Sequence, residues 1–319
     1  MNSFIKILIT LLFLTNLQTF SKTPCESSKT EPLKAGEAEK IVYKQYEDKD
    51  KDPKQLHISL VRPMDASQGK KRPLIIGAHG SGFINFCLFD PCYQKYGNKI
   101  LAPNFAPQGY LTASVEYRLN SPFYFKPPRI KDEKLKEASY KAVQDFREAV
   151  RFIFENAEKF GVDKENVFLM GTSAGAITVL NAAFLDNDEV PRNLIEKYGR
   201  LAEREKIKGV ISLSGAISDL SSLAGGEKVP LMIVHGTEDS IVPVDKGFYL
   251  KMKHLTPVYG SRAIAAEAEK MNIPVKKFFY DSGHDYERND LKEIFKNAND
   301  FIRSNLSCPG GTGSVVTTK

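Results

Sequence analysis

The strongest constraint in this chain is an alternation that begins near residue 40, where short runs of β-branched and aromatic residues take turns with longer stretches of helical periodicity. A mostly parallel sheet produces that order, because each parallel strand needs a crossover to return the chain to the same end of the sheet, and helical crossovers cover both faces. Ile41 to Tyr46 and Leu56 to Arg62 read as a leading hairpin. Leu74 to Ala78, Leu111 to Glu116, Val167 to Met170, Gly209 to Leu213, Leu231 to Val234 and Val275 to Tyr280 read as the strand series. Helices are expected over Ala138 to Phe160, where Val143, Phe146, Val150 and Ile153 share a face, and over Asp290 to Ser304. With 42% apolar residues the chain can bury one substantial α/β core. Its formal charge of +6 is interleaved with acids, as in Lys44 to Lys54 and Lys131 to Lys141, so it gives solvated faces and no nucleic-acid footprint.

The ends read differently from the middle. Lys6 lies within an apolar run from Phe4 to Leu14, followed by Thr19-Phe20-Ser21, which is the pattern of a secretory signal peptide over residues 1–21. The run is too short to span a bilayer unaided, so no stable membrane insertion is expected after cleavage; an uncleaved anchor is the alternative. Residues 22–39 are expected to be a mobile segment, 40–307 the folded domain, and 308–319, rich in Gly, Ser and Thr, a flexible tail. A secreted or periplasmic location follows. The four cysteines suit an oxidising compartment. Cys87 with Cys92 and Cys25 with Cys308 is the economical pairing, and unpaired thiols are the alternative.

Gly171-Thr172-Ser173-Ala174-Gly175 follows a strand run directly and opens the helical run Ala176 to Phe184. Small residues on either side of Ser173 allow the tight strand-to-helix turn that exposes a nucleophilic hydroxyl above a sheet. An N-cap serine is the plainer reading. His79-Gly80-Ser81-Gly82-Phe83 follows an earlier strand, and the N–H groups of Ser81 and Gly82, with that of Ala174, read as an oxyanion hole. Asp239 and its neighbour Glu238 both lie in the loop after the strand Leu231 to Val234. Of the five histidines only His284 occupies the loop after the final strand and follows both Ser173 and Asp239. His79 and His235 end strands beside glycine turns and read as loop-orienting residues.

From Ile41 to Leu306 the chain resembles the α/β-hydrolase superfamily, and within it carboxylesterase and lipase relatives whose oxyanion loop reads H-G-G-G-F, with Ser81 in place of the middle glycine. Val115 to Leu119, Ala142 to Ala149 with Asp145, and Phe160-Gly161-Val162-Asp163 are similar to the same family's stretches, and Tyr259 to Ile264 is similar to exported bacterial esterases. The resemblance implies an α/β-hydrolase catalytic domain over residues 40–307 without a large cap, and a triad of Ser173, Asp239 and His284, with Asp239 preferred to Glu238. It also implies that no cofactor or metal is needed. The substrate would be a small-molecule or polysaccharide-linked ester, acetyl or feruloyl esters included, with Phe83, Phe86, Phe123 and Tyr124 lining its pockets or else packing the core. A serine peptidase of the same fold and an inactive hydrolase-fold binding protein are the rival readings. The stretch Asn187 to Lys206 is charged enough to be a solvated helix and unlike a lid that opens onto lipid.

Overall fold

The computed structural model describes residues 32–47, 52–64, 69–85, 87, 91–120, 130–225, 227–286 and 288–307. The expected signal peptide, Cys25, Cys308, the tail, Phe86, Phe123 and Tyr124 lie outside the described residues.

The chain enters as an antiparallel hairpin of β1 (Lys34–Glu47) and β2 (Pro53–Met64), with Lys34 opposite Met64. Residues 34–39, expected to be mobile, are therefore the first part of β1. Over residues 34–39 both faces of this edge strand are largely exposed, so no alternating side chains are buried there and the polar sequence carries no strand signature, unlike the following half where Ile41 and Tyr43 pack on the core. β3 (Arg72–Ala78) leads to the short helices α1 (Cys92–Tyr96) and α2 (Ala102–Phe105), then β4 (Leu111–Val115). The helix expected over Ala138 to Phe160 starts earlier and is interrupted: α3 runs Asp132–Glu155 and α4 Ala157–Phe160. Between them Asn156 leaves helical geometry and its side-chain amide donates to Phe152 O.

Next come β5 (Val162–Thr172), α5 (Ala174–Phe184), α6 (Arg192–Tyr198), β6 (Gly209–Leu213), β7 (Ala216–Ile217) and β8 (Leu231–Gly236). The last elements are β9 (Lys246–Gly247), β10 (Val258–Gly260), α7 (Ser261–Lys270), β11 (Val275–Tyr280) and α8 (Arg288–Asn305). The eight-stranded sheet runs β1-β2-β4-β3-β5-β6-β8-β11, antiparallel through β2 and β4 and parallel from there on; β7, β10 and β9 form a small second sheet.

Period-2 geometry divides the inner strands between two cores. Leu74, Ile76, Val167, Leu169, Val210, Leu231 and Ile233 join α3, α5 and α7 on one face. Their neighbours Ile75, Phe168, Met170, Ile211, Met232 and Val234 join α2 and α8 on the other. Burial on both faces explains why these strands read as unbroken apolar runs. All parallel strands end on the same side of the sheet, and the loops that leave β3, β5, β8 and β11 there carry the residues singled out above.

Candidate active site

Ser173 stands between β5 and α5 at φ 54°, ψ −122°, a left-handed backbone that an L-residue adopts only under constraint. Close packing supplies the constraint. A Cβ on Gly171 would lie 2.2 Å from Gly175 O, and one on Gly175 would lie 2.1 Å from Ala78 O at the end of β3. Both glycines of the G-x-S-x-G stretch are therefore required by backbone approaching backbone. Ser173 N donates to Leu213 O at 2.8 Å, which ties the turn to the end of β6.

The histidine and aspartate loops are joined to each other before they reach the serine. Thr237 N donates to Tyr280 O and Glu238 N to Ser282 O, while Gly236 leaves no room for a side chain against Ser282 O and Gly283 O. In that frame His284 Nε2 lies 2.9 Å from Ser173 Oγ and His284 Nδ1 lies 2.6 Å from Asp239 Oδ2. The Asp239 side chain is fully buried, whereas Glu238 is exposed. Burial alone would raise the Asp239 pKa, but hydrogen bonds from His235, His284 and Val242 N–H outweigh it and hold the carboxyl well below the usual range. The structure thus brings together Ser173, His284 and Asp239 and leaves Glu238 outside.

The loop after β3 takes left-handed backbone at Ser81 (φ 126°), Gly82 (φ 60°) and Phe83 (φ 61°). A Cβ on Gly80 would lie 3.5 Å from the Ser173 Cβ, so this loop packs directly on the turn that carries the serine. His79 beneath it is buried; Nδ1 donates to Gly80 O at 2.5 Å, Tyr117 OH donates to His79 O, and burial pushes its pKa down to about 4. It is a neutral loop anchor. Among the described residues no acceptor engages the N–H groups of Ser81, Gly82 or Ala174. Ala174 N–H also lies at the start of α5, where the helix dipole favours negative charge.

A pocket of about 150 Å³ draws on the loop after β3 through Phe83 and on α5 through Ile177, and Ser173, His284 and Asp239 do not line it. Phe83 lines it, together with Leu135 and Val143 of α3, Ile177 of α5, Leu194 of α6 and Tyr249. Aromatic spacing pointed to Phe83 alone among these. The rest escaped because their helical or loop patterns are those of ordinary core residues. The stretch Asn187 to Lys206 is helical over α6, and it is not wholly solvated: Val190 and Leu194 face inward and line the pocket. His57 pairs with Glu116 at 2.6 Å, and Arg118 binds the buried Asp145, so these ions serve the fold away from the serine. Among the described residues no three His, Cys, Asp or Glu side chains converge as metal ligands. The Cys87 and Cys92 sulfurs lie 2.06 Å apart.

The family model described as BD-FAE matches residues 62–228. Lipase 5 of Diutina rugosa is 30% identical over 126 residues, which is 39% of this chain and 22% of that protein. Gut esterase 1 of Caenorhabditis elegans is 27% identical over 125 residues, 39% of this chain and 20% of its own length. The matched segment thus spans about a fifth of each curated relative. Esterase 2 of Thermogutta terrifontis in its apo form superposes with a TM-score of 0.58 at 18% identity, over 85% of this chain and 97% of that one. The same esterase has been solved with propionate bound and phosphonylated by cyclosarin.

Proposed function

The chain belongs to the BD-FAE family of α/β-hydrolase esterases, and from that premise we propose that it hydrolyses carboxylic esters through an acyl-enzyme formed on Ser173. The observation that carries the proposal is the unbroken path from Ser173 Oγ to His284 Nε2 at 2.9 Å and from His284 Nδ1 to Asp239 at 2.6 Å. Ser173 Oγ attacks the ester carbonyl carbon while its proton passes to His284 Nε2, and Asp239 stabilises the resulting imidazolium. The carbonyl oxygen becomes an oxyanion facing the N–H groups of Ser81, Gly82 and Ala174, each donor being worth roughly 10²–10³ in rate. The alcohol leaves with the proton held by His284. Water, deprotonated by the same imidazole, then releases the acid.

For the substrate, we read the pocket beside Phe83 and Ile177 as the acyl site. Its volume is close to that of a protein cavity able to hold one benzene ring, which suits acetyl, short-chain or single-ring acyl groups such as feruloyl. The alcohol, small or polysaccharide-linked, would face solvent. We further read the chain as exported, on the apolar run Phe4 to Leu14 and the Cys87–Cys92 pair.

Fluorophosphonate labelling and a panel of nitrophenyl and methyl hydroxycinnamate esters, run beside peptide amides, test this. Ser173→Ala should remove labelling and turnover while leaving thermal unfolding nearly unchanged. Rates should fall as the acyl chain lengthens from butyryl toward palmitoyl, without a jump on emulsions. Turnover retained in folded Ser173→Ala would defeat the assignment, and a preference for long chains would defeat the acyl-site reading.

A further inference from the structure

Behind Asp239 the protein buries a second imidazole. His235, the penultimate residue of β8, has a fully buried side chain. Its Nε2 lies 3.1 Å from Asp239 Oδ2 and 3.1 Å from Val242 O. Both are acceptors, so Nε2 must carry a proton. Its Nδ1 lies 2.7 Å from the hydroxyl of Ser261, a fully buried residue at the start of α7 and part of the Tyr259 to Ile264 stretch that the triad leaves unexplained. In a neutral His235 the Ser261 hydroxyl therefore donates to Nδ1 and fixes the tautomer that points N–H at the carboxylate.

The carboxylate is consequently held at four points. Oδ1 accepts from Ile241 N at 2.8 Å and Val242 N at 2.9 Å, and Oδ2 is shared between His235 and His284. Two backbone donors on one oxygen leave a carboxylate free to tilt about them, and a buried donor on the second oxygen removes that freedom. Sharing also divides the charge of Oδ2 between two imidazoles, which tempers how strongly it stabilises the His284 imidazolium.

We propose that His235, held in one tautomer by Ser261, is a positioning residue that sets both the orientation of Asp239 and the basicity of His284. The proposal rests on the hydrolase reading of Ser173, His284 and Asp239. His235 touches no reacting atom and acts only through the aspartate. Further titratable groups surround this pair: Tyr286, whose hydroxyl is 2.7 Å from Ser214 Oγ and 3.2 Å from Val234 O, Lys251 and Lys253, which line one surface pocket with Asp239, and Glu238 and Asp285, the chain neighbours of Asp239 and His284; all are left unchanged in every variant below.

The test compares His235→Leu, His235→Gln and Ser261→Ala with the full chain, using nitrophenyl acetate turnover from pH 4 to 9, fluorophosphonate labelling and thermal unfolding. A glutamine reaches the Nε2 position with an N–H donor, and a leucine does not. His235→Leu should lower kcat by about ten- to a hundredfold, in the range seen when outer partners of a site are removed, with KM within about twofold. The acid limb of kcat/KM should move to higher pH, because Oδ2 then serves His284 alone. His235→Gln should recover most of kcat and bring the limb back, and Ser261→Ala should lie between. A residue that merely packs would change thermal unfolding and leave the limb where it was.

An unshifted acid limb with wild-type kcat in folded His235→Leu, or a His235→Gln variant as impaired as His235→Leu, would overturn the proposal. Should His235→Leu not fold, an unshifted limb in Ser261→Ala decides against it. The far-downfield proton resonance of His284 Nδ1–H, compared between wild type and Ser261→Ala, reads the same coupling without turnover. If no ester or fluorophosphonate reacts with the wild type, the hydrolase reading fails while this resonance still reports on His235: a shift in Ser261→Ala supports the coupling, and an unchanged resonance rejects it.

Discussion

Ser173 holds a backbone conformation that costs on the order of 1–3 kcal/mol for a residue with a Cβ. Replacing it separates chemistry from strain. Ser173→Ala keeps the Cβ and should unfold like the wild type, whereas Ser173→Gly should be more stable than Ser173→Ala by about 1 kcal/mol, measured by urea unfolding, while both are inactive. Equal stability of the two variants would show that packing at Gly171 and Gly175 leaves the serine unstrained. At Asp239, replacement by Asn should lower kcat by about 10⁴ through the wrong imidazole tautomer, while Glu238→Gln should stay near wild type. Reversed effects would move the acid to Glu238. Ser173 and His284 were legible because the strand-turn-helix context and the last-strand loop each have a local pattern. The choice between Asp239 and Glu238 was not local: it depends on which side chain turns inward to His284, a matter of loop conformation that adjacent carboxylates do not encode. His235 was legible only as a strand-end histidine, because its partner Ser261 lies 26 residues away in sequence.

At the scale of elements, α5 begins directly after the serine at its N-cap and is gripped at its last turn by a cation from α3. Arg147 is buried and donates to Ala182 O at 2.9 Å, to Leu185 O and, at 3.3 Å, to Asn181 O, which also accepts from Leu185 N; Arg204 takes the open carbonyl of Phe184 at 2.9 Å, so two cations share the carbonyls the helix end leaves open. Burial, with Arg204 nearby, lowers the Arg147 pKa to about 10, so it remains charged at neutral pH. Arg147→Met should cost about 2–3 kcal/mol in urea unfolding, since the carbonyls lose charged donors in a dry environment. A loss below half a kcal/mol would mean that water replaces them. Glu137 of α3 binds Lys197 of α6 at 2.7 Å and Lys134 at 3.0 Å; partial burial opposes its charge, but these bonds prevail and bring its pKa to about 2. A depressed carboxyl stabilises above its unfolded pKa and loses that contribution as pH falls through its folded one, so the docking of α6 should weaken between about 4.5 and about 2. Glu137→Gln should show the weakening already at neutral pH, as faster amide exchange across α6 after correction for intrinsic rates, and unchanged protection there would assign the docking to the packing of Leu194, Ile195 and Tyr198 and to the bond from Gln144 Nε2 to Tyr198 O. The inner strands were legible because apolar runs buried on both faces have no other use. The small β7, β10 and β9 strands and the pocket wall at Tyr249 were not, because two or three residues carry no period and a loop side chain gains its burial only from distant elements.

Across the whole molecule, the parallel strands gather the four loops of the site at one end, and the sheet closes its flank with β1. That flank is 14 residues long and leaves one side of its ladder unpaired within the described sheet. Its register slips between Ala35 and Ala38 and again between Val42 and Lys44, and its exposed positions hold Lys34, Glu37, Glu39, Lys40 and Glu47. Two irregularities bend the ladder, and a second copy approaching it would have to bury those charges. The consequence concerns crowding more than catalysis. A long flat strand would recruit its own kind whenever the chain is concentrated, and this one repels the recruit. Exchanging Glu37, Glu39 and Lys40 for Thr and Val should leave ester turnover intact and yet make light scattering grow with concentration, the mark of a border that has lost its guard.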